Sequence, residues 1–325
     1  MNNKISGEIP SHRRAFNSLL AVALAVICAS LSKSALAGDT IAAPPVRLEP
    51  VTVIGQSGSL HDVASESDLV GPANQPEWTT RRAFAETDIY VIPPGEIEFN
   101  QFYISSHPRH GKPENLFESE FEFGLPWRTQ FDVELNYSVN SGHSRYDAAL
   151  LELPHALAEW GKVPLNPTID AGWRFNNAKS DAYFFRLLLA EEFNRHVHFG
   201  ANLTFQRQLG GDLETDYELN AALSYVAIDS KLTVGVELLV EYETDREIDN
   251  SEIKWNHSTT VMIGPTLLYK PTRNTHIGLV PLFGVTHDSP AAEAFIIFGI
   301  DFEPFARSRS TSGEADRFHP LRKGR

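Results

Sequence analysis

The stretch that decides the fold is residues 214–243, ETDYELNAALSYVAIDSKLTVGVELLVEYE. Its first arm places Tyr217, Leu219, Ala221, Leu223 and Tyr225 on one parity and Glu218, Asn220, Ala222 and Ser224 on the other. After Ile228-Asp229-Ser230-Lys231, the second arm sets Leu232, Val234, Val236, Leu238, Val240 and Tyr242 against Thr233, Gly235, Glu237, Glu241 and Glu243. Successive strand side chains point to opposite faces, so each arm has one apolar and one polar face. Each arm exceeds the usual strand of about five or six residues. Tyrosines near the ends of the apolar rows suit a lipid interface, and glutamates opposite suit a water-facing lumen. One hairpin of a soluble sandwich would read similarly, so the remaining chain must arbitrate.

The same alternation recurs from Glu96 to Phe302. Strands are expected at about 96–106, 115–124, 129–139, 148–157, 167–175, 181–194 and 197–208, then the two arms above, then 259–269, 276–286 and 293–302. The segment 148–157 is the least regular. Connections alternate between mostly short ones, such as 125–128, 194–196 and 229–230, and polar ones such as 106–114, 140–147, 176–180 and 244–256. An even strand count with short turns at one end and longer loops at the other is the pattern of outer-membrane barrels. Strand lengths near the nine to eleven residues of a tilted membrane strand favour that reading over a sandwich. The expectation is all-β: a single antiparallel up-and-down transmembrane β-barrel of about twelve strands over residues 96–302. Residue 158–166 forms an unusually long turn for the short-turn end.

The N-terminus supplies export. Lys4, Arg13 and Arg14 precede the apolar run Leu19–Leu31, and Ala35-Leu36-Ala37 closes it as a small-x-small cleavage site. Residues 1–37 therefore read as a secretory signal peptide, with an apolar core too short to span a bilayer. Loss of its net +3 takes the chain's −14 to −17. The only cysteine, Cys28, goes with it. An acidic exported chain without cysteine argues against nucleic acid as a partner and excludes disulfides. Residues 38–95, rich in Ala, Pro, Ser and Gly, read as a flexible periplasmic arm. Residues 303–325, with Arg307, Arg309, Arg317, Arg322, Lys323 and Arg325, read as a disordered basic tail.

Residues 96–302 resemble the uncharacterised bacterial outer-membrane β-barrels grouped with aromatic-compound-pathway and transport barrels. The resemblance is carried by Glu122-Phe123-Gly124-Leu125-Pro126-Trp127-Arg128-Thr129-Gln130 and by the run from His155 to Pro167, HALAEWGKVPLNP. It implies binding or passage of a small molecule at the outer membrane of a Gram-negative cell, with no catalytic residues. It also implies contact with outer-membrane lipid and lipopolysaccharide. The barrel-assembly machinery reads a terminal aromatic strand, here Phe298-Ile300-Phe302. A second resemblance lies at Glu49–Gly55, EPVTVIG, which looks like the TonB box of outer-membrane receptors. Val51, Thr52, Val53 and Ile54 would then pair edge-to-edge with a TonB-like transducer.

Polar faces carry the candidate chemistry. Glu134, Asp170, Arg174, Arg186, Glu237 and Glu241 are the expected lumen-facing residues. They would either line an acidic pore that favours cations or pair across the bore and shut it. His196 and His198, two apart, would share a face if both sat on a strand, while His107 and His110 flank Pro108. Neither pair has a third ligand at useful spacing, so no metal is expected, and no cofactor. Ser144 beside His143, and His287-Asp288-Ser289, have hydrolase residue types outside any nucleophile motif. The chain is read as a non-enzyme. A closed structural barrel is the alternative function, and a lipid-acting enzyme at the rim a weaker one.

Overall fold

The computed structural model describes residues 65–140, 143–249 and 252–302. The segments 1–37, 51–54 and 303–325, and with them the signal peptide, the TonB-box-like run and the basic tail, lie outside the described residues. The barrel strands are β1 Ile97–His107, β2 Glu114–Leu125, β3 Thr129–Asn140, β4 His143–Glu152, β5 Thr168–Asn176, β6 Ala182–Asn194, β7 Val197–Gln208, β8 Thr215–Ile228, β9 Leu232–Asp249, β10 Glu252–Thr272, β11 Thr275–Gly284 and β12 Ala292–Phe302. Each pairs antiparallel with its sequence neighbours. The first and last strands pair as well, Ile97 opposite Phe302 through to His107 opposite Ala292, which closes the barrel. The fold is therefore a closed twelve-stranded antiparallel β-barrel.

The opening hairpin adopts the register that its sequence pattern requires: Tyr217 opposite Tyr242, Leu219 opposite Val240, Leu223 opposite Val236 and Tyr225 opposite Val234. Its apolar parity faces outward, with Leu223, Tyr225, Val234 and Val236 among the exposed large apolar side chains. Phe117, Phe121, Trp173, Phe185, Leu267, Ile296 and Phe298 continue that exposed girdle around the wall. A belt of this extent has no place in water and fits hydrocarbon contact.

Three features depart from the sequence reading. First, 140–147 and 244–256 are mostly strand rather than loop: β3 and β4 run to Asn140 and from His143, and β9–β10 pair on through Asp245–Asn256, Arg246–Trp255 and Glu247–Lys254. Those residues are mostly polar, with only Tyr146, Ile248, Ile253 and Trp255 apolar, so the alternation is weak there, yet the backbone ladder carries on past the barrel rim. Second, the segment expected at 148–157 begins earlier and breaks at Leu153-Pro154. Proline has no N–H for a ladder, and pairing resumes for His155–Ala156 only. Third, residues 65–95 are not an extended arm. They enter at the short-turn end, form the two-residue bridge Leu69–Val70 with Gln75–Pro76 and the 3-10 turn Glu77–Thr80, and pack inside the barrel. Trp78, Phe84, Ile89, Tyr90 and Val91 are buried there against Ala156, Ala190 and Ala222 of the wall.

Candidate functional site in the barrel bore

Much of the bore is a polar surface turned inward, and the plug of residues 65–95 hydrogen-bonds to it. Glu237 on β9 accepts the backbone N–H groups of Ala85 (3.0 Å) and Glu86 (3.2 Å). Gln130 on β3 accepts that of Ile92 at 2.7 Å. Asn220 on β8 donates to the Glu86 carbonyl at 3.0 Å. A loop threaded through a barrel would otherwise bury unpaired backbone groups. The wall's polar parity supplies the partners.

Charge fixes the plug in position. Asp88 lies between Arg82 of the plug and Arg186 of β6, in contact with both guanidinium groups. Arg186 also reaches Glu152 (3.3 Å) and Asp170 (3.9 Å) on the wall. At the short-turn end, Lys270 and Glu66 pair at 2.6 Å with both side chains almost wholly buried. Arg81 donates to Asp301 at 2.5 Å and to Glu77 at 2.9 Å. The turn residue Asp229 accepts Ser65 Oγ (2.8 Å) and the Glu66 N–H (3.0 Å). Burial alone would raise its carboxyl pKa, but these bonds outweigh it and hold the group below the usual range.

Two sequence oddities belong to this assembly. The long turn 158–166 folds beneath the plug: Trp160 meets Trp78 edge-on at 5.9 Å and Tyr90 at 5.3 Å, its N–H bonds to the Ala73 carbonyl, and Tyr90 Oη donates to the Ala158 carbonyl at 2.6 Å. Gly124, inside the 122–130 run, sits against the chain leaving the plug, where an added Cβ would lie 1.9 Å from the Pro93 carbonyl oxygen. Beyond it, Trp127 and Arg128 turn the chain with positive φ into β3.

On the loop side of the plug lies a polar cavity of about 180 Å³. Glu86, Asp88, Glu118, Glu120, Glu134, Glu152 and Glu218 face it, with only Arg82, Arg174 and Arg186 as counter-charges. Burial, reinforced by Glu218 and Glu293, drives the Glu86 carboxyl well above its ordinary pKa. A second sector of the inner wall is apolar: Phe102, Ile104, Met262, Val280, Leu282, Phe295 and Ile297 form one buried cluster with Ala85 of the plug.

Of the sequence candidates, Glu134, Arg174 and Arg186 line the cavity, Asp170 is buried beside Arg186 on the wall, and Glu237 is buried where the wall meets the plug. Glu241 stands on the same inward parity of β9, its ligand oxygens grouped with those of Asp216 and Glu243. What the sequence could not show is that Arg186 pairs with a plug residue as well as with other wall positions. The histidine pairs do not assemble. His198 stacks flat on Trp78 at 4.2 Å inside the bore, whereas His196 precedes β7 and lies against Tyr225. Ser289 Oγ donates to the Val261 carbonyl and accepts its N–H, which engages it in loop structure; His287 is exposed. His143 and Ser144 are exposed where β4 begins.

No protein-family model and no curated protein sequence matches the chain. Among solved structures, an outer membrane channel from Pseudomonas putida F1 is similar at TM-score 0.52 and 9% identity, covering 67% of this chain and 100% of that one. The NanC porin gives TM-score 0.42 and 15% identity over 63% of this chain and 98% of that one. The N-terminal β-barrel domain of Pseudomonas aeruginosa OprF gives 0.25 and 10% over 64% and 98%. The likeness to the P. putida channel is one of fold, an antiparallel barrel whose whole length this chain covers.

Proposed function

We propose that the protein is an outer-membrane barrel for the passage of a small molecule, with a bore held shut by its own residues 65–95. The observation that carries this is the pairing of an acidic cavity on the loop side with a plug packed against the wall beneath it. In the proposed orientation the loops face outward, so a solute enters the cavity from outside. Carboxylates outnumber guanidinium groups there, and a positively charged or polar solute would relieve their mutual repulsion. The outward aromatic belt, in this reading, contacts outer-membrane lipid and lipopolysaccharide.

The test is solute flux in proteoliposomes that carry the chain from Gly38, with the plug weakened by Asp88→Asn. Cationic solutes are expected to pass faster than anionic solutes of equal size. Equal rates for both would remove the charge argument. The ion pairs and hydrogen bonds between plug and wall also favour a second reading, a closed barrel with no transport, which predicts no flux for any solute or variant.

Opening the bore requires work on the plug. Val51–Ile54 precede the plug's first described residue in the chain, so a TonB-like transducer adding there as a β-strand would pull on it directly. In cells, Val53→Pro removes one backbone donor from such a pairing and is expected to abolish uptake while leaving the assembled barrel intact. Undiminished uptake would rule out the coupling.

A further inference from the structure

At the short-turn end three strands bring together side chains far apart in sequence: Glu98 on β1, His276 on β11 and Asp301 on β12. Backbone pairing places them in one row, with Glu98 opposite Asp301, and Gly299 opposite both His276 and Asn100. One ligand atom from each of the three lies within 4.8 Å of the others. His276 Nε2 is 3.7 Å from Glu98 Oε1.

The histidine is the independent sign of a ligand. Its side chain is 0% exposed, and neither ring nitrogen makes a hydrogen bond. Around it, Glu98 Oε2, Asn100 Oδ1 and Asp301 Oδ1 are also buried without a hydrogen-bond partner. Buried polar atoms are nearly all satisfied in folded proteins, and each exception needs a reason. Here five converge. The nearby cations are already engaged, Lys270 with Glu66 and Arg81 with Glu77 and the other oxygen of Asp301. The missing side chain of Gly299 lets the imidazole and Asn100 lie directly over the strand: a Cβ there would fall 1.9 Å from His276 Cε1, 2.1 Å from Nε2 and 2.6 Å from Asn100 Oδ1.

We infer that Glu98, His276 and Asp301 form a binding site for a divalent transition-metal ion of the Zn²⁺ class, with Asn100 Oδ1 as a further oxygen donor. An imidazole with two carboxylates suits a borderline ion better than Mg²⁺ or Ca²⁺, which take all-oxygen sets. Bonds of about 2.0–2.2 Å require the three side chains to draw together, which Glu98 and Asp301 achieve by side-chain rotation. Each carboxylate has a second duty. Glu98 Oε1 accepts the Arg82 N–H at 2.9 Å, and Asp301 Oδ2 accepts from Arg81. The ion therefore ties the β1–β12 seam of the barrel to the residues that anchor the plug.

The experiment uses the untagged chain from Gly38, refolded in detergent micelles and titrated with ZnCl₂ against a fluorescent chelator. Heat-modifiable gel migration confirms the folded barrel in every sample. One equivalent should bind to the parent protein. His276→Leu should weaken that binding by at least about 100-fold, a loss at the upper end of that seen when only a supporting partner is removed. Glu98→Gln, which retains the shape and the hydrogen-bond acceptor, should weaken it similarly and serves if the leucine variant does not fold. Asp216→Asn, in the separate acidic group near the loops, should leave it unchanged. Binding retained in the folded His276→Leu or Glu98→Gln protein, or lost in Asp216→Asn, would overturn the assignment. So would a parent protein that binds no zinc.

Discussion

Asp88 is the residue through which the plug is locked to the wall, and its removal gives a measurable opening. In the closed barrel its carboxylate meets Arg82, which travels with the plug, and Arg186, which stays on β6. When the plug leaves, Arg186 keeps Glu152 and Asp170. Of the two Asp88 pairs only the one with Arg186 is then lost, beside the Arg82–Glu120, Arg81–Asp301 and Glu66–Lys270 contacts that Asp88→Asn leaves in place. At about 4 Å and an effective dielectric near 20, one such pair is worth roughly 4 kcal/mol before desolvation is deducted. Close charge pairs across interfaces measure about 1.5–7 kcal/mol in double-mutant cycles. Asp88→Asn should therefore weaken the closed state by about 2–4 kcal/mol, which raises the open-to-closed ratio by about 30- to 1000-fold at 1.4 kcal/mol per decade. The assay is open probability in planar bilayers for the parent chain, Asp88→Asn, Arg186→Gln and the double variant. The two single effects should be strongly sub-additive, because either change breaks the same contact. Open probability in Asp88→Asn within about threefold of the parent, or full additivity in the double variant, would refute the lock.

Gly124→Val should drive the Pro93 carbonyl away and expose the 65–95 segment to protease, with the barrel still heat-modifiable on gels; an unchanged digestion rate would contradict the packing assigned there. Trp160→Ala removes the edge-on contacts to Trp78 and Tyr90 and should loosen the plug by about 1–3 kcal/mol, at about 0.5–1.5 kcal/mol for each aromatic pair, read as faster hydrogen exchange in residues 73–92. For Asp229, whose folded carboxyl pKa is depressed, the stabilisation is present above the unfolded value of about 3.9 and disappears as pH falls through the lower folded value. The melting temperatures of the parent and Asp229→Asn should thus differ at pH 7 and converge on acidification below about pH 4; a gap that persists there would sink the assignment.

The wall was legible because lipid and lumen impose opposite demands on alternate residues. In 214–243 that demand is met at almost every position, so the pairing of Leu219 with Val240 and Tyr217 with Tyr242 follows from the pattern. Where polar residues predominate, as in Thr244–Glu247 and in Lys254–Ser258 around Trp255, the alternation weakens and strand looks like loop. The plug was hidden for a related reason. Trp78, Phe84, Ile89 and Val91 have no strand or helix period, since the barrel surrounds them on all sides and any direction is buried. Strand parity led to the expectation of inward charges, but gave no partner for them. Arg186 on a polar strand face is equally consistent with a wall pair, water or a plug, and only the threading of 65–95 decides. Glu98, His276 and Asp301 were dispersed over two hundred residues, joined by the closure of β12 on β1.

Whether residues 65–95 close an otherwise open bore is read from single-channel conductance. The chain from Gly38 and the same chain lacking 65–95 would be refolded identically and placed in planar bilayers. The parent protein should insert and stay largely silent, while the deletion should give stable conductance steps. Equal conductance from both, or silence from a deletion shown to be folded and inserted, would contradict that closure.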